Sequence, residues 1–334
     1  MLIDSLEVTQ AIYLAVVQGF TEFLPVSSSG HLILAPAVMG QKVQNVSFDT
    51  AVHFGSLIAV IWYFRRDLFA ISMDWKHSLA AARPVGESPL FWAVLWGTVP
   101  VGLFGLVLHF IYDDRVHSAI LMSVVTAVTG LVLTGFYLLR REFGKAGYLL
   151  LAALTLALLI GLAFWLGKGL RSAAVVATTT VLFGILLWIA DAKGARQRGL
   201  GTIGWKDILI IGVAQACALV PGTSRSGITI TAALLLGFRR EAAARFSFLL
   251  SIPTIVLATA AQTNTLLHKS SGAVQWDILG VGILVSAATA YLCIYLFLRL
   301  IERIGMFPFV IYRFLLGGAL FYFLYYGLID GYAV

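Results

Sequence analysis

Long apolar runs broken by short polar clusters dominate the chain. Runs over 90–112, 118–139, 147–166, 172–190, 278–298 and 306–329 each reach the roughly 20 residues that a helix needs to cross a hydrocarbon core. Two shorter runs, 50–64 and 246–261, cross with help from flanking residues, which predicts about eight crossings in all. Four other runs, 11–26, 31–38, 208–220 and 227–238, are too short or too polar, and a Pro/Ser/Gly-rich centre splits each pair. They predict two re-entrant helix-loop-helix hairpins.

These hairpins repeat one another. AVVQGFTEFLPVSSSGHLILAPAVMG (15–40) resembles GVAQACALVPGTSRSGITITAALLLG (212–237), with Gln18 matching Gln215, Gly30 matching Gly227 and Gly40 matching Gly237 at one constant offset. An odd number of crossings lies between the copies, so the second hairpin enters from the opposite face and the broken loops meet near the midplane. The expected fold is an all-α polytopic membrane protein with an inverted-topology repeat, forming one membrane domain over 1–334. The first repeat covers about 6–112 with 172–190 as its last span, an inserted helix pair covers about 116–166, and the second repeat covers about 206–330.

Lysine and arginine set the orientation. With Arg65 and Arg66 inside, alternate loops place Lys76, Arg83, Arg140, Arg141, Lys145, Lys193, Arg196, Arg198, Lys206, Arg239, Arg240, Arg245, Arg299, Arg303 and Arg313 on the cytoplasmic side. Both termini then lie outside. The first ten residues carry Asp4 and Glu7 and no Lys or Arg, which argues against a cleaved signal peptide.

Composition agrees with the pattern. Hydrophobic residues make up 60% of the 334 and charged residues 12%, about half the charged share of a soluble domain. That excludes a water-soluble enzyme. The net charge of +7 sits beside apolar spans without an aromatic-interleaved basic stripe, so nucleic acid is not an expected partner. Cys217 and Cys293 both lie in apolar segments and read as packing residues.

An ionisable side chain at the centre of a membrane helix costs at least ~2.5 kcal/mol on insertion scales, so those present are candidates for function. Glu22 and Arg225 qualify, one in each broken region. Gln18 and Glu22 are spaced i, i+4 and share a helix face, offering oxygen ligands to a hard divalent cation such as Mg²⁺ or Ca²⁺. Ser27, Ser28, Ser29 and Gly30 follow Pro25 at the start of a short helix, an anion-binding arrangement, and His31 comes next. Thr223, Ser224, Ser226, Gly227 and Thr229 build the matching nest around Arg225, whose guanidinium suits bidentate phosphate contact. Together these residues describe a site for a phosphate-bearing ligand. His53, in an apolar span, stays ambiguous.

QGFTEFLPVSSSGHL (18–32) with PGTSRSGIT (221–229) resembles the undecaprenyl-diphosphatase family, also called bacitracin-resistance proteins; HFGSLIAV (53–60), RFSFLLSIP (245–253) and FPFVIYRFLLG (307–317) extend the similarity. The resemblance implies a bacterial inner-membrane hydrolase that converts undecaprenyl diphosphate to the monophosphate, recycling the carrier lipid of cell-wall synthesis, with its site open to the outer face. Gln18 stands where some members have Glu, which leaves Glu22 as the only acid for a metal. Residues 116–166 look inserted relative to shorter members.

On this reading a divalent cation on Glu22, assisted by Gln18, bridges diphosphate oxygens, and Arg225 with the loop groups clamps the terminal phosphoryl. Ser28 is the preferred nucleophile with His31 as acid/base partner, and a water activated by His31 is the alternative. The expected partners are the polyprenyl diphosphate and the bilayer, with a homodimer left open. Inverted repeats also occur in transporters, so a polyprenyl-phosphate flippase is the rival function.

Overall fold

The computed structural model describes residues 8–39, 46–111, 173–269 and 275–329. The predicted spans 118–139 and 147–166, the inserted pair over 116–166 and the Gly40 match lie outside the described residues. What is described is all-helical: α1 Val8–Thr21, α2 Ser28–Val38, α3 Val46–Tyr63, α4 Arg65–Ala81, α5 Ser88–Ile111, α6 Ala173–Lys193, α7 Trp205–Ala216, α8 Arg225–Leu235, α9 Arg240–Lys269, α10 Trp276–Ile304 and α11 Phe307–Tyr325. Its only β pairing is an isolated bridge between Arg198 and Phe238. Among these, α5, α6, α9, α10 and α11 are long and apolar enough to cross a membrane. Large apolar side chains such as Leu284 and Leu315 are exposed along α10 and α11, as they are where lipid rather than water is the solvent. The protein is a multi-pass membrane protein.

One segment departs from the sequence reading. The predicted 50–64 crossing is α3, and the cytoplasmic connection expected after it is instead a helix, α4, bent 71° from α3. Its apolar residues alternate with Arg66, Asp67, Lys76 and His77 at helical spacing, and Ile71 and Ser78 face inward. Trp75 stacks on Phe91, with ring centroids 4.4 Å apart, pinning α4 to α5.

The helix contacts obey an exchange. α10 packs on α1 and α3, and α5 packs on α7 and α9; α11 touches α2 and α6 touches α8; α6 pairs with α11, and α3 with α9. Swapping α1, α2, α3, α5 and α6 for α7, α8, α9, α10 and α11 maps this set of contacts onto itself, so the last two helices of each half, α5 with α6 and α10 with α11, clasp the hairpin of the other half. Close backbone approach makes the clasp possible. A Cβ on Gly19 of α1 would sit 2.0 Å from Thr289 Oγ1 of α10, and one on Gly212 of α7 would sit 2.7 Å from the Gly97 carbonyl of α5.

The basic residues gather at one end, where several have ionic partners rather than serving only as loop anchors. Arg198 forks onto Asp207 (2.9 and 2.6 Å), and this hydrogen bonding holds the Arg198 guanidinium above the ordinary arginine range. Arg240 forks onto Asp191 (2.6 and 2.9 Å), and Arg245 meets Asp67 at 2.9 Å. These bonds fix the feet of α7, α8 and α9, and hence the depth of the second hairpin. Arg313 is no part of this rim: it is fully buried, which corrects its reading as a cytoplasmic anchor.

Candidate functional site

Each hairpin stops for the same local reason. After α1 the chain turns through Glu22–Val26 into Ser27, whose φ is +74°; after α7 and one 3-10 turn it reaches Ser224, whose φ is +68°. A non-glycine residue held there costs on the order of 1–3 kcal/mol and persists only where its surroundings over-determine it. Here they do. Ser27 Oγ accepts from Gly30 N–H at 3.4 Å and Ser224 Oγ from Gly227 N–H at 3.2 Å, so each serine caps the short helix that follows. In both copies the capping hydroxyl lies 3.2 Å from the next serine but one, Ser29 or Ser226.

Those second serines stitch the loops together. Gly222 N–H donates to Ser29 Oγ at 3.1 Å, and Ser226 Oγ donates to the Leu24 carbonyl at 2.8 Å. Across this seam Arg225 Nη2 donates to Glu22 Oε1 at 2.8 Å, with side-chain exposures of 12% and 8%. The acid and the guanidinium singled out in sequence therefore meet in one buried pair.

Glu22 collects further donors. Gln18 Nε2 donates to Oε2 at 2.8 Å, Ser28 Oγ donates to the same oxygen at 3.3 Å, and His53 Nε2 lies 3.6 Å away. A glutamate at position 18 would set a second acid beside Glu22; the amide donates instead. The hydroxyl of Ser28 thus addresses Glu22. His31 is committed elsewhere, with Nδ1 2.7 Å from the Ser27 carbonyl and Nε2 2.6 Å from Tyr312 OH. It braces the strained Ser27, and its ring stacks parallel to Tyr312 at 5.4 Å.

Several groups at the second loop stay open. Arg225 Nη1 and Thr223 Oγ1 are buried without a hydrogen-bond partner among the described residues. The first N–H groups of α8 have no intrahelical acceptor by position. An anion is the ligand such groups complete. Thr229, expected among the phosphate ligands, instead spends its hydroxyl on the Arg225 carbonyl (2.9 Å) and Ser247 Oγ (2.7 Å), tying α8 to α9. Gly30 and Gly227 are packing positions, where a Cβ would meet Leu316 at 3.2 Å and Arg313 at 3.0 Å.

A hard divalent cation fits the first loop in part. Gln18 Oε1 is buried and without a partner among the described residues, beside the Glu22 carboxylate. No cluster of three His, Cys, Asp or Glu residues occurs among the described residues, so Glu22 is the acid such a cation would use.

Three residues that sequence reasoning did not assign belong here: His53, Tyr312 and Arg313. Arg313 carried a legible signal, because the cost argument that singled out Glu22 and Arg225 applies equally to an arginine inside the 306–329 run. Tyr312 carried none.

The profile of the family described as bacitracin resistance protein BacA matches residues 11–146 and 138–319. The chain is 45% identical over 318 residues to undecaprenyl-diphosphatase 2 of Stutzerimonas stutzeri, covering 94% of this chain and 97% of that one. It is 46% identical to the undecaprenyl-diphosphatase of Nitrosococcus oceani, with 92% and 96% covered, and 44% identical to that of Saccharophagus degradans, with 95% and 98% covered.

Proposed function

Because the chain belongs to the bacitracin resistance protein BacA family, we infer that it hydrolyses undecaprenyl diphosphate to undecaprenyl phosphate and inorganic phosphate. One observation carries the assignment to a site: the 2.8 Å contact between Glu22 and Arg225, where two capped helix starts converge. Phosphoryl transfer depends chiefly on positioning and on stabilising charge, and this junction supplies both.

Arg225 keeps one face of its fork on Glu22 and leaves Nη1 for a phosphoryl oxygen. Thr223 Oγ1 and the first N–H groups of α8 complete the clamp. Ser28 Oγ attacks the terminal phosphorus as its proton passes to Glu22 Oε2, the acceptor it already faces at 3.3 Å. The new O–P bond forms as the bridging P–O bond breaks, and undecaprenyl phosphate leaves. Glu22 hands that proton to the departing undecaprenyl phosphate. Water then attacks the phosphoserine and gives its proton to Glu22, which passes it to Ser28 Oγ as the Ser28 O–P bond breaks, so that inorganic phosphate leaves and Ser28 is restored. His31 acts as a positioning residue, holding Ser27 and hence the Ser28 hydroxyl. When bound, a divalent cation on Glu22 and Gln18 Oε1 supplies charge neutralisation at the diphosphate oxygens.

The basic end fits a cytoplasmic face, and on that orientation the site opens to the outer face of the inner membrane. Purified protein in detergent should release phosphate from undecaprenyl diphosphate, and Glu22→Gln should lower the rate at least about 10²-fold with the fold retained. Lipid binding without phosphate release by the unaltered protein would favour the flippase and overturn the hydrolase.

A further inference from the structure

Arg313 spends its whole guanidinium on backbone carbonyls. Nε donates to Thr180 O at 2.8 Å, Nη1 to Pro25 O at 3.3 Å, and Nη2 to Gly222 O at 3.0 Å and Thr223 O at 3.1 Å, with Thr179 O at 3.5 Å. These acceptors belong to three separate segments: the first loop, the second loop and α6. Nothing of Arg313 is exposed, and each of these partners is a neutral carbonyl. Two glycines make the room, since a Cβ on Gly184 would lie 3.3 Å from Arg313 Cβ and one on Gly227 would lie 3.0 Å from its Nη1.

Stability alone is a poor reason for such an arrangement. A buried cation without a carboxylate loses its hydration, and carbonyl dipoles recover only part of it. The acceptors show what it accomplishes. In a trans peptide the C=O and N–H point in opposite directions. Drawing the Thr223 carbonyl onto α11 therefore turns the Ser224 N–H the other way, at the start of α8. The same guanidinium grips Pro25, three residues before Ser28. One rigid plane thus refers the nucleophile's loop and the guanidinium's loop to a common frame.

We propose that Arg313 is a positioning residue for the reaction: it staples the two broken loops through their carbonyls and so sets Ser28 in register with Arg225. The proposal rests on the hydrolase reading of the site. Only arginine serves, because its planar fork has five N–H donors in fixed directions, whereas a lysine keeps the charge on a single flexible nitrogen.

The experiment compares unaltered protein, Arg313→Lys and Gly184→Ala in phosphate release from undecaprenyl diphosphate, with thermal unfolding followed in parallel. A misplacement of about 1 Å at a reacting centre costs roughly 10²-fold. Arg313→Lys should lower kcat by about that factor with KM changed less than about threefold. Gly184→Ala keeps charge and donors but displaces the Arg313 stem, and should lower kcat by about tenfold at unchanged KM. Loss carried in KM alone would mean that Arg313 serves by charge attraction, and kcat within about threefold of the unaltered protein would mean no staple; either overturns the proposal. If Arg313→Lys does not fold, Gly184→Ala decides by the same two criteria. Failure of the unaltered protein to release phosphate tells against the hydrolase reading instead.

Discussion

The two broken loops share a frame and divide the chemistry. Ser27 and Ser224 occupy the same strained backbone region and cap the same way; Ser29 and Ser226 accompany them at the same 3.2 Å. The next residue is where they part. At the first position of the following helix the first loop has Ser28, the proposed nucleophile, and the second has Arg225, the proposed phosphate clamp. Four residues after the matched glutamines Gln18 and Gln215, the first copy carries Glu22 while the second carries the apolar Leu219. A duplicated scaffold thus brings two helix N-termini to one junction, and on the proposed mechanism single substitutions at matched positions give each half its own role.

The most severe way to break this division is to erase it. Arg225→Ser would place serine at both matched positions, leave the cap geometry untouched and strand Glu22 without its guanidinium. Phosphate release should fall by on the order of 10³-fold or more, the scale on which a transition-state arginine acts in phosphoryl transfer. Steady-state assay of the folded variant checks this. A loss below tenfold would mean that the second loop's chemistry lies elsewhere.

A milder test asks whether the frames are equivalent. Ser27→Ala and Ser224→Ala each delete a cap while keeping a Cβ at positive φ, and should each cost about 1 kcal/mol of stability. Ser27→Gly and Ser224→Gly also lose the cap but relieve the backbone, and should cost only a few tenths. Denaturation midpoints in detergent measure all four. A first loop that responds differently from the second in this series would show that the shared geometry conceals different energetics.

Much of this frame was legible in the sequence, because glycine, serine and proline punctuate the hairpins at matched positions and a charged residue inside an apolar span is costly enough to be informative. That logic pairs Glu22 with Arg225, and the two meet at 2.8 Å. What escaped depended on side-chain direction. Ser28 addresses Glu22 rather than His31 because α2 turns the imidazole back onto the Ser27 carbonyl and across to Tyr312, a geometry that spacing does not encode. Arg313 was read by the positive-inside rule along with Arg299 and Arg303, yet those two lie on α10 and Arg313 lies within the α11 span. Helix α4 has no span-like signature, because its charged residues are spread along its length.

The gentlest test concerns the matched glutamines, which the loops treat unequally. Gln18 donates to Glu22, whereas Gln215, equally buried, has neither its amide nitrogen nor its oxygen paired among the described residues. With Leu219 at the place of Glu22, the second copy retains an amide whose acceptor has gone. An unsatisfied buried polar group costs about 1–3 kcal/mol, and a partnerless amide gives that back when an apolar chain of similar length replaces it. Gln215→Met should therefore raise the unfolding midpoint with phosphate release unchanged within about twofold, while Gln18→Met should slow phosphate release, since it strips a donor from the carboxylate that Ser28 faces. A fall in the midpoint for Gln215→Met would show that this amide has a partner of its own. The second copy would then hold a polar contact as purposeful as the first, and the division of labour would extend one turn deeper into α7 than the loops alone indicate.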